Sequence, residues 1–533
     1  MAPTEVEVKP ATPGPARGMS LRSAASVGLL TALSRVLGLV RESTKAHFLG
    51  TSLAADAFQI AFVLPSALRS LVAEGAVSSA IVPVFTRYAR GTDRFEMRRV
   101  AEKYLSFWLF LALVVTVLGV VFSGRALTLL LDLGWVDGAE KAALTSDLMS
   151  VLFWYLLLIG SAAALQGILH AHGSFTLPAL SPVLFNLAFV LTAWCVAPCL
   201  GEDTRVWAFA AAVLAGGAVQ LALLVPPVWR LGVRPVMRWP FDHPGVRQML
   251  RLLVPATFGA GIYQVNVVVN LLLASRLEGD GFVAALGYSS RLMEFVLGIF
   301  VFALNTVSLT SMSRQAGDED WEGFATTLDE VLRLGVFITL PSAVGLFLLR
   351  EEIIALLFRS GSFGADSLAL TATAFQFHVL GLCFVGASRG LVSGLYARRE
   401  VGAAVRVAGV CLFVNLALAW GLSSSELGYA GIALASSLAA VLQVVLLAIV
   451  VGRRVRSARF HRLLITIGRS LVAATAMGIV VGAGGTLVDP EAPKPMLAFG
   501  VALVILAGVA AYFLAARALG MDEVRRLRGV ARR

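Results

Sequence analysis

The residues of this chain able to do chemistry are charged groups set in apolar surroundings. Arg35, Arg41 and Glu42 fall in one apolar run, Asp56, Arg69 and Glu74 in the next, and Arg291 with Glu294 in a later one. A charged side chain at the centre of a bilayer costs about 2.5–3.5 kcal/mol on insertion scales, so several together imply a shared hydrated interior rather than separate exposure to lipid. Guanidinium groups engage phosphate oxygens bidentately through a rigid fork of N–H donors. Arg35, Arg41 and Arg69 converging from two neighbouring helices would therefore suit a phosphate-rich anion such as a diphosphate. Two further readings stand beside that one: the same arginines can snorkel to lipid headgroups, or pair with Glu42, Asp56 and Glu74. Arg291 and Glu294, three positions apart, share a helical face, so a local ion pair, a role in ligand binding or gating, or both fit them.

Other chemistries find no support. The six histidines do not cluster by spacing, and Cys195, Cys199, Cys383 and Cys411 lie in or beside apolar stretches without the spacing of a metal site or a disulfide framework. No glycine-rich loop with the lysine needed to cradle a nucleotide is present, and no nucleophile, base and orienting residue come together. No cofactor is expected, and no motif selects a coupling ion.

The elements that must hold these charges are read from composition and hydropathy. Of 533 residues, 58% are hydrophobic and 14% charged, against roughly 25% charged in soluble domains; mean hydropathy is +0.82. The chain is expected to be an all-α polytopic membrane protein. A bilayer needs about 20 apolar residues per helix. Fourteen transmembrane helices are predicted, near 22–40, 56–80, 104–124, 147–169, 179–198, 206–228, 248–273, 282–307, 330–349, 369–395, 402–421, 428–452, 464–485 and 496–516. Pro65 is expected to kink or interrupt the second, and Pro178, Pro182, Pro255 and Pro341 to introduce bends.

The net charge of +11 would suggest nucleic acid for a soluble domain; here position gives it another meaning. Most Lys and Arg fall in loops on one side, among them Arg87, Arg90, Arg94, Arg98, Arg99 and Lys103 after the second span and Arg453, Arg454, Arg456, Arg459 and Arg462 after the twelfth. The positive-inside rule then places both termini in the cytoplasm. The loop at 308–329 is acidic, with Arg314 its one basic residue, and acidic residues carry little weight in that rule. LFNLAF around Asn186 resembles LFVNLALAW around Asn415, and the surroundings of Gln220 resemble those of Gln443. The similar intervals lay spans 1–6 over spans 7–12 as parallel repeats with a central site between two bundles. The expected division is a disordered cytoplasmic tail at 1–20, a six-helix lobe at 21–230, a cytoplasmic linker at 231–247, a second six-helix lobe at 248–452, two additional helices at 453–516 and a basic tail at 517–533.

Particular segments carry a family resemblance. SRVLGLVRE at 34–42 and AADAFQIAFVLPSALRSLVAEGAVSSAIVPVF at 54–85 closely resemble the signature region of the MurJ (MviN) family of bacterial lipid II flippases. That family is part of the multidrug/oligosaccharidyl-lipid/polysaccharide (MOP) exporter superfamily. GSFTLPALSPVLFN at 173–186, YSSRLMEFVLGIF at 288–300, LPSAVGL at 340–346 and GLYARRE at 394–400 extend the resemblance over most of the chain. It implies two six-helix lobes around a central cavity plus two C-terminal helices. It also implies that Arg35, Arg41, Arg69 and Arg291 meet an anionic substrate, that Asp56 and Glu294 function or gate, and that Glu42 and Glu74 pair, gate or support. Ser66 and Ser70 stand where relatives commonly show Asn and Arg, which implies one basic contact fewer.

The expected activity is transport of lipid II, the undecaprenyl-diphosphate-linked disaccharide-pentapeptide, from the cytoplasmic to the outer leaflet of the inner membrane by alternating access. Expected partners are this substrate, membrane lipids and cell-wall synthesis proteins, with no nucleic acid. The alternatives are a flippase for another polyprenyl-diphosphate-linked glycan, a cation-coupled drug exporter of the same superfamily, and a membrane glycan transferase. A drug exporter would depend less on several cavity arginines, and a transferase would need a catalytic constellation outside them.

Overall fold

The structure is a computed structural model that describes residues 21–71, 84–85, 94–234, 243–455 and 461–525. The tail at 1–20, Glu74, Arg87, Arg90, the linker centre at 235–242 and the end of the basic tail at 526–533 lie outside the described residues. Among the described residues there is no strand.

The long helices are α1 (Leu21–Leu49), α2 (Leu53–Ser70), α3 (Arg94–Asp132), α4 (Ala139–Ala171), α5 (Thr176–Val196), α6 (Val206–Arg230), α7 (Pro244–Ser275), α8 (Phe282–Gly317) and α9 (Trp321–Leu348). They continue with α10 (Arg350–Phe358), α11 (Ala365–Leu380), α12 (Leu382–Ala397), α13 (Val401–Ser423), α14 (Gly428–Arg454), α15 (His461–Gly485) and α16 (Lys494–Ala518). A helix, or a bent helix pair, lies at each expected span. Nine of the described helices are long and apolar enough to cross a membrane, and α11 with α12, bent by 44°, makes a tenth. The other expected spans are α1, α2, α7 and α8; the predicted site charges among the described residues lie on three of these, α1, α2 and α8. The short α10 was not expected from the sequence.

Local sequence explains where elements begin and break. Ser52 caps α2 by accepting from the Ala55 N–H at 3.3 Å, Asp320 caps α9 through the Gly323 N–H at 2.9 Å, and His243 Nδ1 accepts from the Gly245 N–H at 3.0 Å beside Pro244. Pro65, Pro182 and Pro341 lie inside continuous helices. A 44° bend occurs at Gly381, where Ser437 Oγ of α14 donates to the carbonyl of Phe377 at 2.6 Å. A side chain from a neighbouring helix thus satisfies backbone that the break would leave bare in lipid.

Packing falls into two groups. In the first, α3 packs on α4, α4 on α2 and α6, α5 on α6, and α1 on α5; in the second, α13 packs on α14, α12 on α8, α9 and α14, and α7 on α13. The α15–α16 pair lies against α9. It is fixed at one end where Arg333 meets Glu523 at 2.6 Å and at the other where Arg359 donates to the Pro490 carbonyl at 2.8 Å. Outward faces are apolar, with Leu29, Phe110, Val121, Phe413, Ile479 and Phe499 exposed, as lipid contact requires.

The repeat read from the sequence reappears in the contacts. Asn186 Nδ2 on α5 donates to the Ser34 carbonyl on α1 at 3.0 Å, and Asn415 Nδ2 on α13 donates to Asn266 and Asn270 on α7 at 2.6 and 2.8 Å. In each group the fifth span therefore ties back to the first through an asparagine at the equivalent place.

Candidate functional site

A cavity of about 280 Å3 opens between the groups, lined by Arg41 from α1, Phe62, Ser66 and Arg69 from α2, Tyr155 and Gln166 from α4, Phe185 and Asn186 from α5, Gln220 from α6 and Arg291 from α8. Three of the four predicted arginines reach one space from three helices. Gly216 lets α6 approach closely: a Cβ there would stand 2.6 Å from the ring of Phe185. That contact helps hold Phe185 in the cavity wall.

Each arginine is positioned by named partners. Arg41 Nη2 meets Glu42 Oε1 at 2.8 Å, Nη1 donates to Asn186 Oδ1 at 3.3 Å, and the guanidinium lies 5.8 and 5.7 Å from the ring centroids of Phe185 and Phe189. Glu42 is buried, and its second oxygen meets Lys45 Nζ at 2.8 Å. Lys45 also donates to Gln59 at 3.0 Å and sits 4.7 Å over the ring of Tyr288. Arg291 pairs with Glu294 at 2.8 Å, both side chains partly exposed at 44% and 38%; Tyr263 donates to the other Glu294 oxygen at 3.3 Å. The local ion pair is present while Arg291 also lines the cavity. Arg35 does not line this space. Its guanidinium lies against the α8 backbone at Gly298, within electrostatic reach of Glu294 and Arg389.

Among the described residues, Arg41, Arg69 and Arg291 line the cavity, with Lys45 behind them on Glu42 and Arg35 and Arg389 within electrostatic reach of Glu294 or its partner, against two carboxylates, Glu42 and Glu294. That excess of cations over anions, with their donor forks, suits a multiply charged anion. Neutral amides on Gln166, Asn186 and Gln220 and the Ser66 hydroxyl add hydrogen-bonding capacity without charge. Ser66 lines the cavity, whereas Ser70 is buried and donates to the Ala67 carbonyl at 3.0 Å.

Asp56 belongs elsewhere. It occupies the first turn of α2 and Arg69 the last, about 20 Å apart at 1.5 Å per residue, so the pairing of these two weighed from sequence is excluded. The Asp56 carboxylate is 1% exposed and accepts from the Gly281 and Ala284 N–H groups, both at 2.8 Å. It caps α8 from across the molecule, where the helix dipole favours an anion. Further bonds extend this seam between the groups. Tyr288 donates to the Gly50 carbonyl at 2.9 Å, the Ser362 N–H to the His47 carbonyl at 2.8 Å, and the Thr51 N–H to Ser367 Oγ at 3.2 Å.

Sequence reasoning missed Lys45, Lys141 and Arg389. Arg389 carried a signal, being an arginine inside the apolar run at 369–395. Lys45 and Lys141 lie near helix ends, where a lysine looks like an interfacial group. Among the described residues no group of three or more His, Cys, Asp or Glu is placed to hold a metal ion.

The family described as lipid II flippase MurJ matches residues 45–490. The probable lipid II flippase MurJ of Vibrio cholerae serotype O1 is 34% identical over 438 residues, covering 80% of this chain and 82% of the relative. That of Rhizobium meliloti is 31% identical over 519 residues, covering 96% of each. Among solved structures, a lipid II flippase MurJ in an inward closed conformation aligns with a TM-score of 0.77 at 23% identity, over 93% of this chain and 99% of the other. An inward-facing multidrug resistance MATE family transporter of the MOP superfamily aligns at 0.66 with 14% identity, over 80% and 98%. The structural likenesses establish a shared fold. With the family match running through most of the sequence and relatives above 30% identity over most of it, this chain belongs to the lipid II flippase MurJ family.

Proposed function

We infer that this protein carries lipid II from the cytoplasmic to the outer leaflet of the bacterial inner membrane by alternating access, as a transporter that makes and breaks no covalent bond. The observation that carries this reading is the convergence of Arg41, Arg69 and Arg291 on one cavity, with family membership naming the substrate. The diphosphate sits among the guanidinium groups. The neutral wall of Gln166, Asn186, Gln220 and Ser66 faces the sugars, and the polyprenyl tail stays in hydrocarbon.

In this reading the working bodies are the lobes at 21–230 and 248–452, with 453–516 travelling alongside the second. Both termini are cytoplasmic, so the seam at Asp56 is the outward gate, closed here. Arg41, Arg69 and Arg291 bind substrate directly, and Arg35 supports the same field from beside α8. Glu42 and Glu294 orient arginines, and Asp56 gates. Lobe rotation breaks the seam and exposes the site to the opposite side.

The test is leaflet exchange of lipid II in liposomes carrying the full chain or single alanine replacements at Arg41, Arg69 and Arg291. Each replacement is expected to lower exchange at least about tenfold, the loss of one charge-assisted hydrogen bond of roughly 1.5–3 kcal/mol. Undiminished exchange in all three would overturn the cavity as the substrate site.

A further inference from the structure

Lys141 is the most enclosed cation in the seam and has no role in the reading above. It lies in the first turn of α4 with its side chain 2% exposed. Its Nζ donates to the Gly279 carbonyl at 2.9 Å, meets Asp280 Oδ1 at 3.0 Å and stands 3.8 Å from Asp56 Oδ2. Gly279 and Asp280 belong to the turn between α7 and α8; Asp56 belongs to α2, which packs along α4. One ammonium therefore touches a carboxylate from each group of helices. The neighbouring turn is stitched to the same place: the Asp137 N–H donates to the Ser275 carbonyl at 2.8 Å and Ser275 Oγ to the Trp135 carbonyl at 2.7 Å.

We propose that Lys141 is the cationic clasp of the seam, the positioning residue that lets Asp56 and Asp280 approach from opposite lobes and so sets how firmly the gate stays shut. Two carboxylates drawn within 4 Å of one ammonium repel unless that cation lies between them; Asp56 is buried and Asp280 half-exposed, so the repulsion is partly screened at the Asp280 end. The α8 N-terminus offsets part of the Asp56 charge through its two N–H groups and its dipole, but Asp280 lies on the same lobe as that helix end and gains nothing across the seam from it. Lys141 is the group on the α2–α4 side that attracts Asp280. When the lobes part, the Gly279 and Asp280 partners leave while Asp56 remains on the same side as Lys141, already close to ion-pair distance. The clasp thus exchanges one partner for another, and the ammonium has a counter-ion in either arrangement.

That the seam parts during transport rests on the flippase reading; that Lys141 holds it shut does not. The test uses the full chain in lipid bilayers, its four cysteines replaced by alanine and spin labels placed at Asp203→Cys and Glu426→Cys. Both positions are exposed, Asp203 in the short 3-10 turn between α5 and α6 and Glu426 in the turn between α13 and α14, at the seam end of their respective groups. Lys141→Met is expected to raise the population with parted labels about tenfold, following from loss of the charge-assisted hydrogen bond to the Gly279 carbonyl and of the pair with half-exposed Asp280. Lys141→Arg keeps the parent distribution, and Lys141→Met with Asp280→Asn moves back toward it because the opposed charge is gone. A Lys141→Met distribution equal to the parent's overturns the clasp. So does an equal shift in Lys141→Arg accompanied by a lowered unfolding temperature, which would mark a packing site. Lipid II exchange is followed in the same samples: absent exchange by the parent strikes the flippase reading, while the distances still decide the clasp.

Discussion

Replacing Arg291 separates a substrate contact from a structural one, because the structure assigns its ion pair little stability. Arg291 and Glu294 meet at 2.8 Å with 44% and 38% of their side chains exposed. Pairs so open to solvent contribute about 0–1 kcal/mol. Glu294 also keeps the Tyr263 hydroxyl after the change. Arg291→Ala is therefore expected to leave the unfolding midpoint nearly unchanged. A guanidinium–phosphate contact is worth about 1.5–3 kcal/mol, so the affinity for lipid II should fall roughly 10- to 150-fold. Arg291→Lys should recover part of it, keeping the charge but losing the fork. Binding of lipid II to protein in nanodiscs, measured beside thermal unfolding on the same preparations, gives both quantities. Unchanged affinity, or a fall in stability large enough to account for the lost binding, would refute the assignment.

Gly50→Ala should loosen the seam: Gly50 has φ +56, and an added Cβ would collide with the Ser362 carbonyl, so the label pair described above should report more parted molecules. Gly216→Ala should press on Phe185 and cost about 1–3 kcal/mol of overpacking, read as a lower unfolding temperature together with weaker lipid II binding. Glu523→Ala leaves Arg333 beside Thr466 and Asp329 in a largely enclosed site. Because Asp329 remains as a counter-ion, a loss of about 1–3 kcal/mol is expected, seen as earlier unfolding and faster proteolysis after α16, with Glu523→Asp intermediate.

The spans were legible because a bilayer imposes a length and a composition on anything that crosses it. The chain shows helices at 139–171, 206–230 and 428–454 close to where the apolar runs lie. The bend at Gly381 was not legible, since the serine that makes it tolerable comes from α14, far along the sequence. Pro182 and Pro341 sit within continuous helices. In the site, an arginine in an apolar run announces an interior because lipid is so poor a surrounding for it, which is why Arg41, Arg69 and Arg291 could be selected. What each one faces depends on side-chain direction and on helices meeting across the molecule. Asp56 shows the limit: sequence proximity set it among the arginines of the first two spans, and the length of α2 carries it to the other end.

Among the described residues the cavity wall is unequally shared, with every lining residue but Arg291 drawn from the first six long helices. A compound that grips only that larger wall contacts the same surface whichever way the lobes lean, so it has no means of biasing one state over the other. A compound that also bridges to Arg291 reads the separation of the lobes and must favour one arrangement by the free energy of that single contact. At about 1.5–3 kcal/mol this is enough to lock most molecules in place when the two arrangements are near balance. For the pharmacology of this protein, occupancy and inhibition are thus separable properties, and reach toward α8 is what converts the first into the second.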